Sequence, residues 1–257
     1  MKKKNVLEQK LFIEFKNYVL HNIKIPISLA MLEKFHKYLN GIKLWNKKIN
    51  LISFNDDEEI LYRHFYDSLY SVKIINKLYN KTFINKKMKI IDIGTGVGMP
   101  GIPVKIVLPK IQLALVESIR KKCKFLEYIK KVLFLNVKVF NDRAEKLAHT
   151  FIYRQKYDFV LSRGVAKFSI NLEITVPFLK VGGRLIIYKT KTAIKDQKHG
   201  LYSVKNAIKQ LNLKLERILY YKLPKHKLKY CILVFKKTRK NTLRFPRKIE
   251  IQNKYPL

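Results

Sequence analysis

Apolar residues recur at helical spacing through the first third of the chain and then gather into short runs. Leu7, Leu11, Phe15 and Val19 line one face of a helix over about 7–19. A second helix runs from 28 to 44, with Ser28 as its N-cap and Gly41 near its end, and a third covers 56–78. From Lys89 onward the pattern predicts strands at 89–93, 112–116, 137–140, 157–161 and 184–188. Helices fall between them at about 102–108, 119–134, 144–150 and 169–180. Such alternation with short connections implies a parallel, doubly wound α/β sheet. A helix over 195–211 follows, then strands near 214–222 and 229–236 with no helix between them, which implies an antiparallel hairpin around Pro224 at the sheet edge. The expected organisation is a helical extension over 1–85 packed on a Rossmann-like, seven-stranded domain over 86–257 with a basic tail.

Lys89-Ile90-Ile91-Asp92-Ile93-Gly94-Thr95-Gly96-Val97-Gly98-Met99-Pro100-Gly101-Ile102-Pro103 joins the first of these strands to a helix. Glycines let the backbone turn sharply and let a ligand approach the main chain, and a helix start offers free N–H groups. Gly96 to Gly101 satisfies the G-x-G-x-x-G dinucleotide pattern, a weak match by itself. Pro100 removes an N–H that a pyrophosphate would use, and Asp92 repels phosphate and attracts a cation. The spacing of Asp92, Gly94, Gly96 and Gly98 suits S-adenosylmethionine, which has no phosphate and carries a sulfonium and an ammonium. Glu117, 23 residues after Gly94, ends the second strand, where a carboxylate accepts hydrogen bonds from ribose hydroxyls. That supports an adenosine ligand without separating the two cofactors, and Glu117 has an alternative role as cap of the helix opening near Ser118. A parallel sheet closing on an antiparallel strand is the architecture of seven-stranded, S-adenosylmethionine-dependent methyltransferases and is not that of NAD domains. The turn Leu179-Lys180-Val181-Gly182-Gly183-Arg184 before strand five suits it too.

A length of 257 residues fits one α/β domain with an added layer. No apolar run approaches the length of a membrane span, and Glu8, Gln9, Lys10, Glu14 and Lys16 interrupt any apolar stretch behind Met1-Lys2-Lys3-Lys4. Cys123 and Cys231 have neither metal-ligand nor disulfide spacing, so a reduced cytoplasmic compartment and no metal are expected; a monomer is expected as well. The net charge of +37, from 45 lysines and ten arginines against 18 acids, points to a polyanionic partner through counterion release. Lysine-rich drift at a tolerant surface accounts for part of it. Lys236 to Leu257 holds eight basic residues and one acidic, a denser cluster than the chain as a whole. Arg244, Arg247, Lys248 and Lys254 flank Phe245 and Tyr255 there, a composition that suits unpaired RNA bases. The alternative is a tail pinned on the sheet by Phe245 and Pro256.

The reaction is narrowed by what the strand ends carry. Methylation of cytosine C5 needs a cysteine in the site, and neither cysteine falls there. Leu161-Ser162-Arg163-Gly164-Val165-Ala166 stands where exocyclic-amine enzymes carry an Asp/Asn-Pro-Pro-aromatic motif. Lys189 ends strand five, but no acid after strand four partners it for ribose methylation. A ring nitrogen such as guanine N7 has its own lone pair, loses no proton and needs no base, so positioning and desolvation suffice. Arg163, at the crevice mouth, is placed to hold a cofactor carboxylate or an RNA phosphate. Ala144 and Glu145 follow strand three, where an adenine ring rests. His64 and Asp67, three apart, read as an internal polar pair anchoring the helical layer.

Five segments, in order from about residue 28 to the C-terminus, together resemble one family. They are Trp45-Asn46-Lys47-Lys48-Ile49-Asn50-Leu51, Arg63-His64-Phe65-Tyr66-Asp67-Ser68, Asp92 to Pro103, Ser162-Arg163, and the ending Phe245-Pro246-Arg247-Lys248 with Lys254-Tyr255-Pro256-Leu257. They look like the bacterial RsmG family (glucose-inhibited division protein B), the 16S rRNA 7-methylguanosine methyltransferases. The resemblance implies N7 methylation of one guanine, position 527 in the family's usual rRNA numbering, in free 16S rRNA or the small subunit. It also implies cofactor contacts at Gly94, Met99, Ala144, Glu145 and Arg163. Gly164 and Thr190 depart from the alanine and glycine usual in the family. A non-enzymatic RNA-binding protein and an NAD-linked oxidoreductase are the rival readings.

Overall fold

The computed structural model describes residues 2–53, 56–79 and 88–257. The helical layer consists of α1 (Lys2–Tyr18), α2 (Leu29–Asn46), α3 (Asp57–Glu59) and α4 (Asp67–Tyr79). The Ser28 side chain accepts from Met31 N as the N-cap of α2. A π-helical turn, Ile60–Tyr66, joins α3 to α4. Such wide turns gather at functional sites, and this one carries Arg63 and His64 toward the sheet. The expected boundary at residues 85/86 lies outside the described residues.

The sheet contains β1 (Lys89–Ile93), β2 (Gln112–Glu117), β3 (Val137–Asn141), β4 (Tyr157–Arg163), β5 (Leu179–Thr190), β6 (Leu213–Lys222) and β7 (Lys229–Lys237). Its order is β3-β2-β1-β4-β5-β7-β6. The first five strands pair in parallel, and β7 runs antiparallel between β5 and β6. Between them run α5 (Gly101–Val107), α6 (Arg120–Val132), α7 (Ala144–His149), α8 (Phe168–Thr175), α9 (Lys191–Lys195) and α10 (Lys205–Gln210), and α11 (Ile249–Lys254) closes the chain. Among the described residues no helix is long and apolar enough to cross a membrane.

Alternation along the strands divides the interior into two apolar layers. Ile90, Leu113 and Leu115 face the helical layer, where they meet Phe35, Phe65, Ile102 and Phe125. Ile91, Ile93, Ala114 and Val116 face α7 and α8, and Phe245 of the tail belongs to that second layer.

The largest departures from the expected boundaries lie around and after β5. The helix expected over 169–180 ends at Thr175, where Pro177 in a short 3₁₀ turn, Val176–Phe178, stops it. β5 therefore begins at Leu179, and the expected turn before it lies within the strand. Pairing jumps from Tyr157–Leu179 to Phe159–Arg184, with Gly182 at φ +82 in the bulge. The helix expected over 195–211 is reduced to α10 behind a 3₁₀ turn, Tyr202–Val204, because Gly200 N donates to Asp196 O in a tight turn just after α9. A Cβ on Gly200 would stand 2.2 Å from that oxygen.

Candidate cofactor and substrate site

The glycine loop leaves β1 at the carboxyl edge of the sheet, where α/β folds bind ligands. Asp92 lies beneath it, fully buried. Its Oδ2 accepts from Thr95 Oγ1 (2.6 Å) and from Gly101 N (2.8 Å) at the start of α5. Its Oδ1 is buried without a hydrogen-bond partner among the described residues. Burial pushes this carboxyl up to about 7, against the pull of those two donors. The cation-facing role expected of Asp92 is thus narrowed to one oxygen, while the other organises the loop. Gly98 N and Met99 N both donate to Thr95 O at 2.9 Å, and Tyr38 of α2 donates its hydroxyl to Val97 O.

The glycines divide into two kinds. A Cβ on Gly94 would meet Val165 at 2.7 Å, and one on Gly98 would meet Ile102 at 2.3 Å. Gly96, at φ +62, has nothing within 4 Å of a Cβ, and neither has Gly164 at φ +67. Open space above a left-handed glycine is a surface on which a ligand can lie against the main chain. Glu117 Oε2 accepts from Gly96 N at 2.9 Å, and Oε1 accepts from Ile119 N at 2.8 Å. One carboxylate braces the loop and caps the turn into α6, and each oxygen keeps a further lone pair. Ala144 and Glu145 open α7 beyond the end of β3, Ala144 buried and Glu145 half-buried.

Arg163 ends β4 beside β1. Its guanidinium donates to Asp67 Oδ2 (3.0 Å), Arg63 O (3.2 Å) and His64 Nδ1 (3.0 Å). A guanidinium only donates, so His64 Nδ1 is the acceptor and the imidazole is neutral. Burial, reinforced by the charges of Arg163 and Arg63, pushes His64 down to about 3. Asp67 also accepts from the Tyr221 hydroxyl of β6, and burial raises its pKa against the opposing pull of Arg163. His64 and Asp67 therefore meet at Arg163, a third member that their spacing alone did not indicate. Thr95, Tyr38 and Tyr221 also escaped sequence reasoning, since hydroxyls scattered over a loop, a helix and a distant strand share no motif.

The basic candidates separate by location. Lys189 of β5 is half-buried, 5.0 Å over the Phe168 ring, and burial lowers its pKa. In the tail, Phe245 is buried and Pro256 is exposed, so only the first pins the chain. Arg154 donates to Phe245 O and Thr242 O, holding the tail against the α7–α8 layer. Arg247 makes three hydrogen bonds to Glu173 of α8 through its backbone N, Nε and Nη2. The expectation of an RNA-facing Arg247 is corrected accordingly: its guanidinium belongs to an almost buried ion pair, with a side chain 12% exposed. Arg244, Lys248 and Lys254 stay exposed.

Residues 31–219 match the profile of the family described as rRNA small subunit methyltransferase G. The chain is similar to ribosomal RNA small subunit methyltransferase G of Streptococcus pneumoniae, 36% identical over 234 residues, with 91% of this chain and 94% of the relative covered. The Acetivibrio thermocellus protein of the same name is 37% identical over 227 residues, covering 88% of each. In fold alone the chain resembles the PH0226 protein of Pyrococcus horikoshii, with a TM-score of 0.51 at 16% identity, covering 77% of this chain and 99% of that one. A match over most of both lengths, on a seven-stranded sheet with a braced glycine loop at its carboxyl edge, makes this chain a member of the rRNA small subunit methyltransferase G family.

Proposed function

We propose that the chain binds S-adenosylmethionine and directs its methyl group to N7 of a single guanine in 16S rRNA, the one named by the family resemblance. The observation that carries this reading is the cradle of Gly96 and Glu117, an open left-handed glycine beside a carboxylate with spare lone pairs. The residues present fit the cofactor. Glu117 suits the ribose hydroxyls, the Gly94–Gly98 backbone suits a phosphate-free sulfonium arm, and Asp92 Oδ1 is an unsatisfied acceptor for an ammonium. Ala144 and Glu145 suit the adenine edge. When bound, this cofactor supplies an electrophilic methyl on a sulfonium.

Guanine N7 loses no proton on attack, so the protein's task is to orient the base and exclude water. Arg163, fixed by Asp67 and His64, is the positioning group at the crevice. Neither cysteine is suited to covalent chemistry. Cys123 donates its thiol to Glu117 O, and burial pushes both Cys123 and Cys231 up to about 11, far from the thiolate a nucleophile needs. Cys123→Ser with Cys231→Ser should therefore retain methyl transfer. Labelled cofactor, 16S rRNA and mapping of 7-methylguanosine test the whole reading. Label at another guanine atom or on ribose would overturn the N7 assignment, and a folded, cofactor-binding but inactive double variant would revive a covalent route.

A further inference from the structure

With Arg247 ion-paired and Lys237 buried against Val176 O and Leu179 O, the tail offers fewer free cations than its composition suggests. The densest free charge lies elsewhere. α6 carries six basic residues and one acidic in thirteen positions. Its apolar face, Phe125, Leu126 and Ile129, is buried against the sheet. Arg120, Lys124, Tyr128 and Lys131 fall at i, i+4, i+8 and i+11, a single stripe on another flank of the helix. They line a groove of about 500 Å³ between α6 and Val139 and Asn141 of the edge strand β3. Arg120, Lys124 and Lys131 are exposed and form no ion pair among the described residues, while the acid on this flank, Glu127, is occupied by Lys130 at 3.1 Å. Tyr128 is half-exposed, its ring 5.4 Å from that of Trp45, and exposed Lys47 and Lys48 follow Trp45.

One wall of the groove is bonded to the cofactor cradle. Asn141 Nδ2 donates to Glu117 O (3.2 Å) and Ser118 O (3.1 Å), tying the end of β3 to the end of β2. We infer that this groove is the track for the single-stranded rRNA flanking the target guanine, with phosphates on Arg120, Lys124 and Lys131 and an unpaired base against Tyr128. The inference rests on the proposed reaction for its ligand class. Its physical basis is uncompensated charge at helical spacing, an aromatic face beside it, and a groove wall, Asn141, bonded to the backbone of Glu117.

The test is the salt dependence of affinity for a 16S rRNA fragment that contains the target loop. Replacing Arg120, Lys124 and Lys131 together with glutamine should flatten the slope of log K against log salt by roughly 2, at about 0.7 per lost phosphate contact, with cofactor affinity within about twofold of wild type. K209Q/K214Q/K240Q removes the same charge near the start of β6, at the opposite edge of the sheet, and should leave the slope close to wild type. An unchanged slope in the first variant, or equal flattening in both, overturns the groove in favour of diffuse surface charge. Methyl transfer by the wild type is measured in parallel. Its absence removes the proposed reaction, whereas the slopes judge the groove in either case.

Discussion

At the scale of single residues, the glycines of the loop make opposite demands. Gly96→Asp adds a side chain into open space at a φ of +62, so it should cost only about 1 kcal/mol of backbone strain and abolish cofactor binding, as read by calorimetry. Gly98→Ala places a Cβ against Ile102 at a φ of +100 and should lower the melting temperature by several degrees, a loss of roughly 1–3 kcal/mol for strain of this kind. Cofactor affinity within threefold of wild type for Gly96→Asp would remove the cradle. Asp92 gives a pH signature. Its folded pKa of about 7 lies above the ordinary carboxylate value, so the folded state holds a proton that the unfolded chain releases at lower pH. The stability this contributes is full below about pH 4 and is lost as pH rises through about 7. Asp92→Asn keeps an acceptor for Thr95 and Gly101 and removes the ionisation. The stability difference, variant minus wild type, should therefore grow from pH 5 to pH 8 in chemical denaturation. Parallel curves would mean that Asp92 carries its charge throughout.

At the scale of elements, Arg163 joins β4 to the π-helical turn, and Tyr221 of β6 reaches the same carboxylate. Asp67→Ala leaves the guanidinium without its ion partner in a largely buried place and should cost about 3–5 kcal/mol in denaturant unfolding. A loss below 1 kcal/mol would mean that solvent already satisfies Arg163. These elements differ in how far the sequence announced them. The sheet was legible because buried parallel strands read as apolar runs and Gly94–Gly101 punctuates the first crossover. The π-helical turn was not, since its residues Ile60–Tyr66 keep an ordinary helical apolar pattern and the extra residue per turn leaves no compositional trace. The glycines around strand five read as a turn, yet the chain bulges there and stays in the sheet. The glycine-loop residues of the candidate site were legible from local spacing. The partners of Arg163 come from about a hundred residues earlier, and Tyr221, which bonds one of them, from about sixty later, separations no local pattern encodes.

At the scale of the whole molecule, the helical layer closes one of the two apolar layers of the interior. Phe15, Phe35, Tyr38 and Phe65 are fully buried with Ile90, Leu115 and Phe125. Removing α1 and α2 should expose that face of the sheet and give an aggregating chain without a cooperative melting transition, although every sheet residue remains. A truncated protein with a sharp transition and native-like chemical shifts in β1 and β2 would refute the shared core. The charge works in the same direction at low salt, since a chain at +37 repels itself.

The place of β7 carries a consequence for synthesis. This strand inserts between β5 and β6, with Cys231 to Phe235 all buried. While a ribosome is still adding the segment after β5, the edge of that strand presents unpaired main-chain groups and apolar side chains, for roughly a few seconds at ordinary elongation rates. β6 emerges first and finds no native strand to pair with, because β7, its strand partner among the described residues, has not yet been made. Nascent chains stalled before residue 229 should thus be bound by chaperones and open to proteases. Protection would arrive in one step once the last strand clears the exit tunnel.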